Sequence, residues 1–190
     1  NYLKAHSTTE LEAFSEQVKG CREFLDRVIA DTHGLKKIHF VLVEDLLNNA
    51  RRRIMEKRYD DATARSYRAL ELYGQVFFEE VAGCSNAKVK PELIPEKLRE
   101  EFARKYRDPG SHLLKLPLTA TFHYLNVVGH DAGARYFKRE KELKKVTSNR
   151  NQSILAHGIK PVSEKAINSI FETVSDFVQV TNFFDFPSLT

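Results

Sequence analysis

The chain has 190 residues, of which 42% are hydrophobic and 29% charged, and its formal net charge is +4 at pH 7. This length supports one sizeable hydrophobic core, and the composition is that of a globular domain, which argues against a disordered chain and against a second full domain. No run of about 18 apolar residues that would span a membrane is present, and neither is an export signal, so we expect a cytoplasmic protein without a membrane partner.

Apolar residues recur with helical rather than alternating spacing along nearly every long segment, which predicts an all-α fold. A first helix, capped by Thr8 or Thr9, is expected to end at His33-Gly34, and a second to run from about residue 36 to 57. A third helix over about residues 60 to 81 is apolar around much of its circumference, so we expect it at the centre of the bundle.

Residues 84–117 form the least regular segment, because four of the six prolines fall within it. We predict an insertion over the bundle that holds one helix over about residues 96 to 106. Two helices over about 118–128 and 132–146 follow, broken around Gly129 and Gly133. Ser163 can cap a final helix. The aromatic tail after it is expected to be docked, since free phenylalanines would form a costly exposed patch.

The stretch from Arg150 to Gly158 reads RNQSILAHG and combines a cation, an amide and a titratable imidazole. In a continuous helix, His157 would lie within about 20° of Arg150 around the axis and about 10 Å along it. Two long side chains would then reach one phosphodiester from either end. Gly158 and Pro161 would end this helix just past the histidine.

Basic residues are concentrated directly upstream of this stretch. Residues 138–150 contain six cations and two carboxylates, six minus two, a formal +4. Such a cluster can guide a polyanion, but it also fits a solvated helix face with Lys138–Glu142 and Glu140–Lys144 as i,i+4 pairs. Both interpretations stay open. The candidate polyanion-binding residues are Lys138, Arg139, Lys141, Lys144 and Lys145.

Arg150 and His157 resemble the R-x(4–6)-H signature of HEPN ribonucleases, in the form with a polar residue after the arginine, here Asn151. The run RNQSILAHGIKPVS from Arg150 to Ser163, together with YDDATARSYRALELYGQ from Tyr59 to Gln75, looks like the C-terminal HEPN region of CRISPR-associated CARF–HEPN proteins. The resemblance spans roughly residues 35 to 184. It implies an HEPN-like helical bundle, with residues 84–117 as an irregular insertion and residues 1–190 as a single HEPN domain.

The resemblance also implies an activity, the metal-independent cleavage of single-stranded RNA within an antiviral defence protein. In that reaction the ribose 2′-hydroxyl attacks its own 3′ phosphate and leaves a 2′,3′-cyclic phosphate. The residue chemistry agrees, since an imidazole can move a proton at neutral pH and a guanidinium can stabilise the charge on the phosphorane. We assign His157 to moving a proton or orienting the 2′-hydroxyl, and Arg150 to stabilising the charge on the phosphorane. Asn151 is assigned to holding these side chains in place. The division of acid and base roles stays open.

No metal or other cofactor is expected. His123 and His130 lie seven residues apart without the H-E-x-x-H pattern, so helix packing is the better explanation for them, and no phosphate-binding glycine loop is present. Ser153 lacks the acidic partner and strained elbow of a serine hydrolase.

The resemblance further implies a homodimer whose two motifs meet across a two-fold axis, and we expect His157 of both chains to face a shared cleft lined by Arg150 and by cations of residues 138–145. Because the chain opens with Asn1 instead of methionine, we expect a fragment. The upstream part would be a CARF sensor domain, through which alone cyclic oligoadenylate would act. The alternative function is a catalytically inactive helical module that binds RNA or a protein through the basic helix and the aromatic tail.

Overall fold

The computed structural model describes residues 9–153 and 159–184, with side chains from residue 12 onward. Over these ranges the chain forms eight α-helices and one short 3-10 turn, and its β pairing is limited to three isolated bridges. The all-α prediction is therefore confirmed. The helices are α1 (Thr9–Asp31), α2 (Val41–Met55), α3 (Tyr59–Ala82), α4 (Glu96–Tyr106), α5 (Leu118–Val127), α6 (Asp131–Lys138), α7 (Glu140–Gln152) and α8 (Glu164–Val178).

Helix α2 begins at Val41, five residues later than the sequence pattern predicts. The chain is still turning before that point, because Leu35 adopts a left-handed conformation with φ of 65°. The carbonyl of Thr32 accepts hydrogen bonds from the N–H groups of both Lys36 and Lys37. These contacts hold the turn after α1, so residues 36–40 are not available to start a helix.

Helix α3 occupies the centre of the bundle, as its apolar circumference predicts. It packs against α2, α5, α7 and α8, and its Tyr73 side chain is almost fully buried. The hydroxyl of Tyr73 accepts a hydrogen bond from Arg135 of α6. Four further rings surround the Tyr73 ring at centroid distances of 4.8 to 6.4 Å, those of Phe40, Phe77, Phe122 and Phe177. Such clusters combine a large buried area with favourable ring geometry.

The insertion at residues 84–117 packs on the bundle through a small core of its own, which confirms its predicted place. Val89 and Leu114 pair in an antiparallel bridge, and both are fully buried with Phe102 of α4. Asn86 ties the insertion to α5, because its amide nitrogen donates to the Leu116 carbonyl at 3.0 Å and to Thr121 Oγ1 at 3.1 Å. The insertion is thus held by both apolar burial and hydrogen bonds.

The region after α5 differs from the prediction, which placed one helix over residues 132–146. The structure has two helices that break at Arg139, where φ is −114° and ψ is 17°. The Arg139 guanidinium bonds Glu142 at 2.9 Å and Asp176 of α8 at 2.5 Å. Gly133 does not break a helix. It lies within α6 and allows close packing on the end of α5, since a Cβ there would overlap the backbone of Asn126.

The start of the aromatic tail is docked, as expected. The Phe183 ring lies 5.3 Å from the Phe171 ring, and the Phe184 ring lies 4.6 Å from the Phe24 ring. The N–H of Phe184 donates to Asn48 Oδ1 at 3.2 Å. Phe186 lies outside the described residues. Within the part of the chain that the structure describes, no helix is both long and apolar enough to cross a bilayer.

Substitution of Gly133 tests the close packing of α5 and α6, and substitution of Gly20 on α1 is its control. Gly133→Ala should lower the free energy of unfolding by about 2–3 kcal/mol, because its methyl group has no space against the Asn126 backbone. Gly20→Ala on α1, where nothing lies within 4 Å, should raise that free energy by roughly 0.5–1 kcal/mol. Urea unfolding of both variants measures the difference. Equal stabilities would show that α5 and α6 do not approach this closely.

Candidate functional site

Arg150 lies in the last turn of α7, where a cation is favoured by the partial negative charge at the helix C-terminus. Its guanidinium carbon lies 5.1 Å from the ring centroid of Tyr67 on α3, and the side chain is half-buried. Its Nη1 donates a hydrogen bond to Asn151 Oδ1 at 3.1 Å. An aromatic face and a neighbouring amide therefore hold the guanidinium of Arg150.

Tyr67 is itself held in place. Burial, together with the nearby Glu71 carboxylate, raises the pKa of Tyr67 to about 12, so its phenol stays neutral and hydrogen-bonds Glu71. Glu71 also pairs with Arg68 at 3.5 Å. Tyr67 was not predicted as a site residue, because it lies outside the motif of Arg150 and His157. It does lie within the block from Tyr59 to Gln75 that carries the family resemblance.

The expectation of a continuous helix from Arg150 to His157 is wrong. Helix α7 ends at Gln152, and Ser153 is extended with φ of −73° and ψ of 154°. The Ser153 hydroxyl donates to the Arg150 carbonyl at 2.8 Å, and the side chain is only 2% exposed. Ser153 is thus a helix-terminating residue, and the helical relation between Arg150 and His157 does not apply. His157 lies outside the described residues.

Ser153 also connects the two sides of the motif. It pairs with Lys160 in a parallel bridge, so the chain on either side of residues 154–159 meets at one place. Two residues further on, the N–H of Val162 donates to Asp60 Oδ2 of α3 at 3.4 Å. Ser163 then caps α8, as predicted, by accepting the N–H of Ala166 at 3.3 Å. The two sequence blocks that carry the resemblance are therefore in contact.

The candidate polyanion-binding cations differ in their surroundings. Arg139 is committed to Glu142 and Asp176, and Lys144 pairs with Glu140 at 2.9 Å. Of the two i,i+4 pairs that the sequence suggests, Glu140–Lys144 forms, whereas Glu142 pairs with Arg139. The cations that are exposed and form no ion pair with the described part of the chain are Lys138, Lys141 and Lys145.

The two of these lysines that lie on α7, Lys141 and Lys145, do not share a helix face with Arg150. At 100° per residue, Lys141 and Lys145 lie about 180° and about 140° around α7 from Arg150. Leu143 and Val146, which are buried, lie on the Arg150 side of the helix. The basic face of α7 therefore points away from the Arg150–Tyr67 contact.

The two histidines considered as metal ligands have packing roles. His123 contacts the rings of Phe102 at 6.0 Å and Phe137 at 5.7 Å. His130 caps α6, because its Nδ1 accepts the N–H of Ala132 at 3.2 Å. Among the residues that the structure describes, no three His, Cys, Asp or Glu side chains are grouped to hold a metal ion.

Comparison with known protein families gives one match over most of the chain. Residues 31–181 match the family model described as the Csm6 HEPN domain. This range agrees with the extent of the resemblance seen in the sequence and includes α2 to α8. A search of curated proteins returns no match.

The Arg150–Tyr67 contact can be measured by a double-mutant cycle with Tyr67→Leu and Arg150→Met. We expect a coupling of about 0.5–1 kcal/mol in the free energy of unfolding, the usual value for a partly exposed cation–π pair. The coupling should not change between about pH 6 and pH 9, because the pKa of Tyr67 is about 12. A coupling of zero would mean that the guanidinium does not rest on the ring.

Proposed function

This chain belongs to the Csm6 HEPN domain family, and we propose on that basis that it is a metal-independent endoribonuclease of a CRISPR-associated protein, acting on single-stranded RNA. The observation that carries the proposal is the position of Arg150. Its guanidinium is held against Tyr67, and among the described residues only one of its nitrogens is hydrogen-bonded, to Asn151, which leaves donors for a phosphate.

The proposed reaction is an intramolecular transesterification. The 2′-oxygen of the ribose forms a bond to its own 3′ phosphorus as its proton leaves, the bond from phosphorus to the 5′-oxygen breaks, and the leaving 5′-oxygen takes up a proton. Arg150 stabilises the added charge on the phosphorane, and His157 moves a proton or orients the 2′-hydroxyl. Asn151 positions Arg150 through its amide oxygen. Because the nucleophile belongs to the substrate, proximity is supplied by the ribose.

A continuous helix is not needed to bring the two motif residues to one neighbourhood. Lys160 is paired with Ser153, whose hydroxyl bonds the carbonyl of Arg150. The bridge therefore supports the proposal, because it holds the chain that follows the motif against the end of α7 that bears Arg150.

The alternative of an inactive binding module receives support from the exposed Lys141 and Lys145, which are placed to meet a polyanion but not the Arg150 site. Binding of a partner through the aromatic tail, the other part of this alternative, has less support because Phe183 and Phe184 are packed on the bundle. Cleavage assays decide between the two functions.

The first test of the proposal is substitution of the motif. Arg150→Ala and His157→Ala should each reduce the rate of RNA cleavage by about 10²–10⁴, the range for loss of an oxyanion donor or of a general acid–base. Lys141→Ala/Lys145→Ala, which changes two cations on the opposite face of α7, should keep kcat unchanged. Full activity of His157→Ala would remove it from the catalytic site.

The same assay tests the chemistry. Cleavage should persist in excess chelator, and RNA with a 2′-O-methyl group at the scissile position should resist, because it lacks the attacking hydroxyl. DNA should resist for the same reason. Cleavage that requires an added metal ion, or equal cleavage of DNA, would contradict the mechanism and favour the binding-module alternative.

Assembly forms a further part of the proposal. One arginine and one histidine supply fewer groups than in-line cleavage can use, so we propose a homodimer in which two motifs face one cleft. Light scattering should give a dimer, and activity per chain should fall on dilution below its dissociation constant. A monomer with undiminished activity on dilution would contradict this assembly. Cyclic oligoadenylate would act through a CARF domain, so this chain alone should not bind it in calorimetry.

A further inference from the structure

A concave site lies between α3 and the insertion at residues 84–117. It is a cleft of about 520 Å³, large enough for a nucleotide-sized group. Its α3 wall includes Glu71 and Gln75, and its opposite wall is formed by residues of the insertion, among them Asn86, Tyr106, Arg107 and Lys115. The motif residues discussed above do not line it.

The cleft is close to the Arg150 site because both use one stripe of α3. Tyr67, which carries the Arg150 guanidinium, hydrogen-bonds Glu71, and Glu71 lines the cleft. Glu71 follows Tyr67 by one helical turn, about 6 Å, and Gln75 follows by two. A strand of RNA held at Arg150 therefore reaches the cleft within a short length.

The charges of the cleft favour an anion. Three cations and two carboxylates line it, three minus two, a formal +1. Lys105 is paired with Glu101 at 2.6 Å, and Glu71 is paired with Arg68. The remaining carboxylate, Asp108, accepts a hydrogen bond from Ser111 at 2.9 Å.

The other two cations of the cleft, Arg107 and Lys115, are exposed and form no ion pair with the described part of the chain. They are therefore free to bind phosphate.

Asn86 gives the cleft a fixed hydrogen-bond acceptor. The side chain is only 8% exposed, and its nitrogen donates to the Leu116 carbonyl and to Thr121, which fixes the orientation of the amide. Its Oδ1 receives no hydrogen bond from the described residues, so it is available to a donor in the cleft. The N–H groups on the edge of an unpaired base are such donors, and Tyr106 adds an aromatic side chain to the same wall.

We propose that this cleft is a nucleotide subsite for the single-stranded RNA whose scissile phosphate lies at Arg150. The base enters beside Tyr106 with an N–H donated to Asn86 Oδ1, and Arg107 and Lys115 each bind one of the two phosphates that flank that nucleotide. The inference rests on the proposed function of the Arg150 site. The cleft and that site share one stripe of α3, and this is why we expect both to bind the same RNA strand.

Binding is measured separately from cleavage by fluorescence anisotropy with a single-stranded RNA that is 2′-O-methylated throughout. Arg107→Ala/Lys115→Ala should weaken binding about tenfold, and the slope of log K against log salt should fall by about 1.4, which is two phosphate contacts at about 0.7 each. The matched control is Lys88→Ala/Lys90→Ala, which removes two exposed cations of the same insertion outside the cleft. It should leave the salt slope within about 0.5 of the wild-type value.

Cleavable RNA supplies the second readout. The Arg107→Ala/Lys115→Ala variant should raise KM about tenfold with kcat within about twofold of wild type, because the subsite binds ground state and transition state equally. If this variant binds RNA no more weakly than the Lys88/Lys90 control while the wild type still cleaves, the subsite is wrong and the ribonuclease stands. If the wild type binds RNA through the cleft but never cleaves, the ribonuclease is wrong and the cleft is an RNA-binding site alone. Absence of RNA binding by the wild type overturns the subsite.

Discussion

Burial of α3 is the constraint on which the rest of the structure depends. This helix is packed on by α2, α5, α7 and α8, and Tyr73 at its middle is enclosed by four aromatic rings with Arg135 on its hydroxyl. Removing such a side chain from a core costs several kcal/mol, so α3 has little freedom to shift. Its partly exposed stripe at Tyr67, Glu71 and Gln75 therefore provides a rigid base for groups from other elements.

The end of α7 determines which side chain lies on this partly exposed stripe of α3. Ser153 bonds the carbonyl of Arg150 and pairs with Lys160, so the helix stops where Arg150 lies over Tyr67. A guanidinium that is already oriented gives up less entropy when it meets a phosphate than one on a free side chain. The basic face of α7 turns away from this point, so its exposed lysines are separate from the guanidinium that we propose acts on the phosphate.

Periodicity and turn residues in the sequence predicted most of the helices, because these signals are local. The bounds of α3, α4 and α5 and the Ser163 cap agree within about two residues. Three features were missed because each depends on contacts between different elements of the fold rather than on spacing within one element. The helix break at Arg139 accompanies its hydrogen bond to Asp176 of α8, and Gly133 allows α6 to pack closely on Asn126 of α5. Helix α7 ends where Ser153 pairs with Lys160. Nor could spacing within one segment identify Tyr67, which lies 83 residues before Arg150.

We propose that the substrate's own 2′-hydroxyl is the nucleophile, and the chemical ends of the cleavage products test this proposal. Mass spectrometry of RNA cut by the wild type in chelator and oxygen-18 water should show a 2′,3′-cyclic phosphate and a 5′-hydroxyl, with no heavy oxygen incorporated in the first product. These fragments should form about 10²–10⁴-fold more slowly with His157→Ala. A 5′-phosphate, or heavy oxygen on the first product, would show that water attacks the phosphate and would contradict the account.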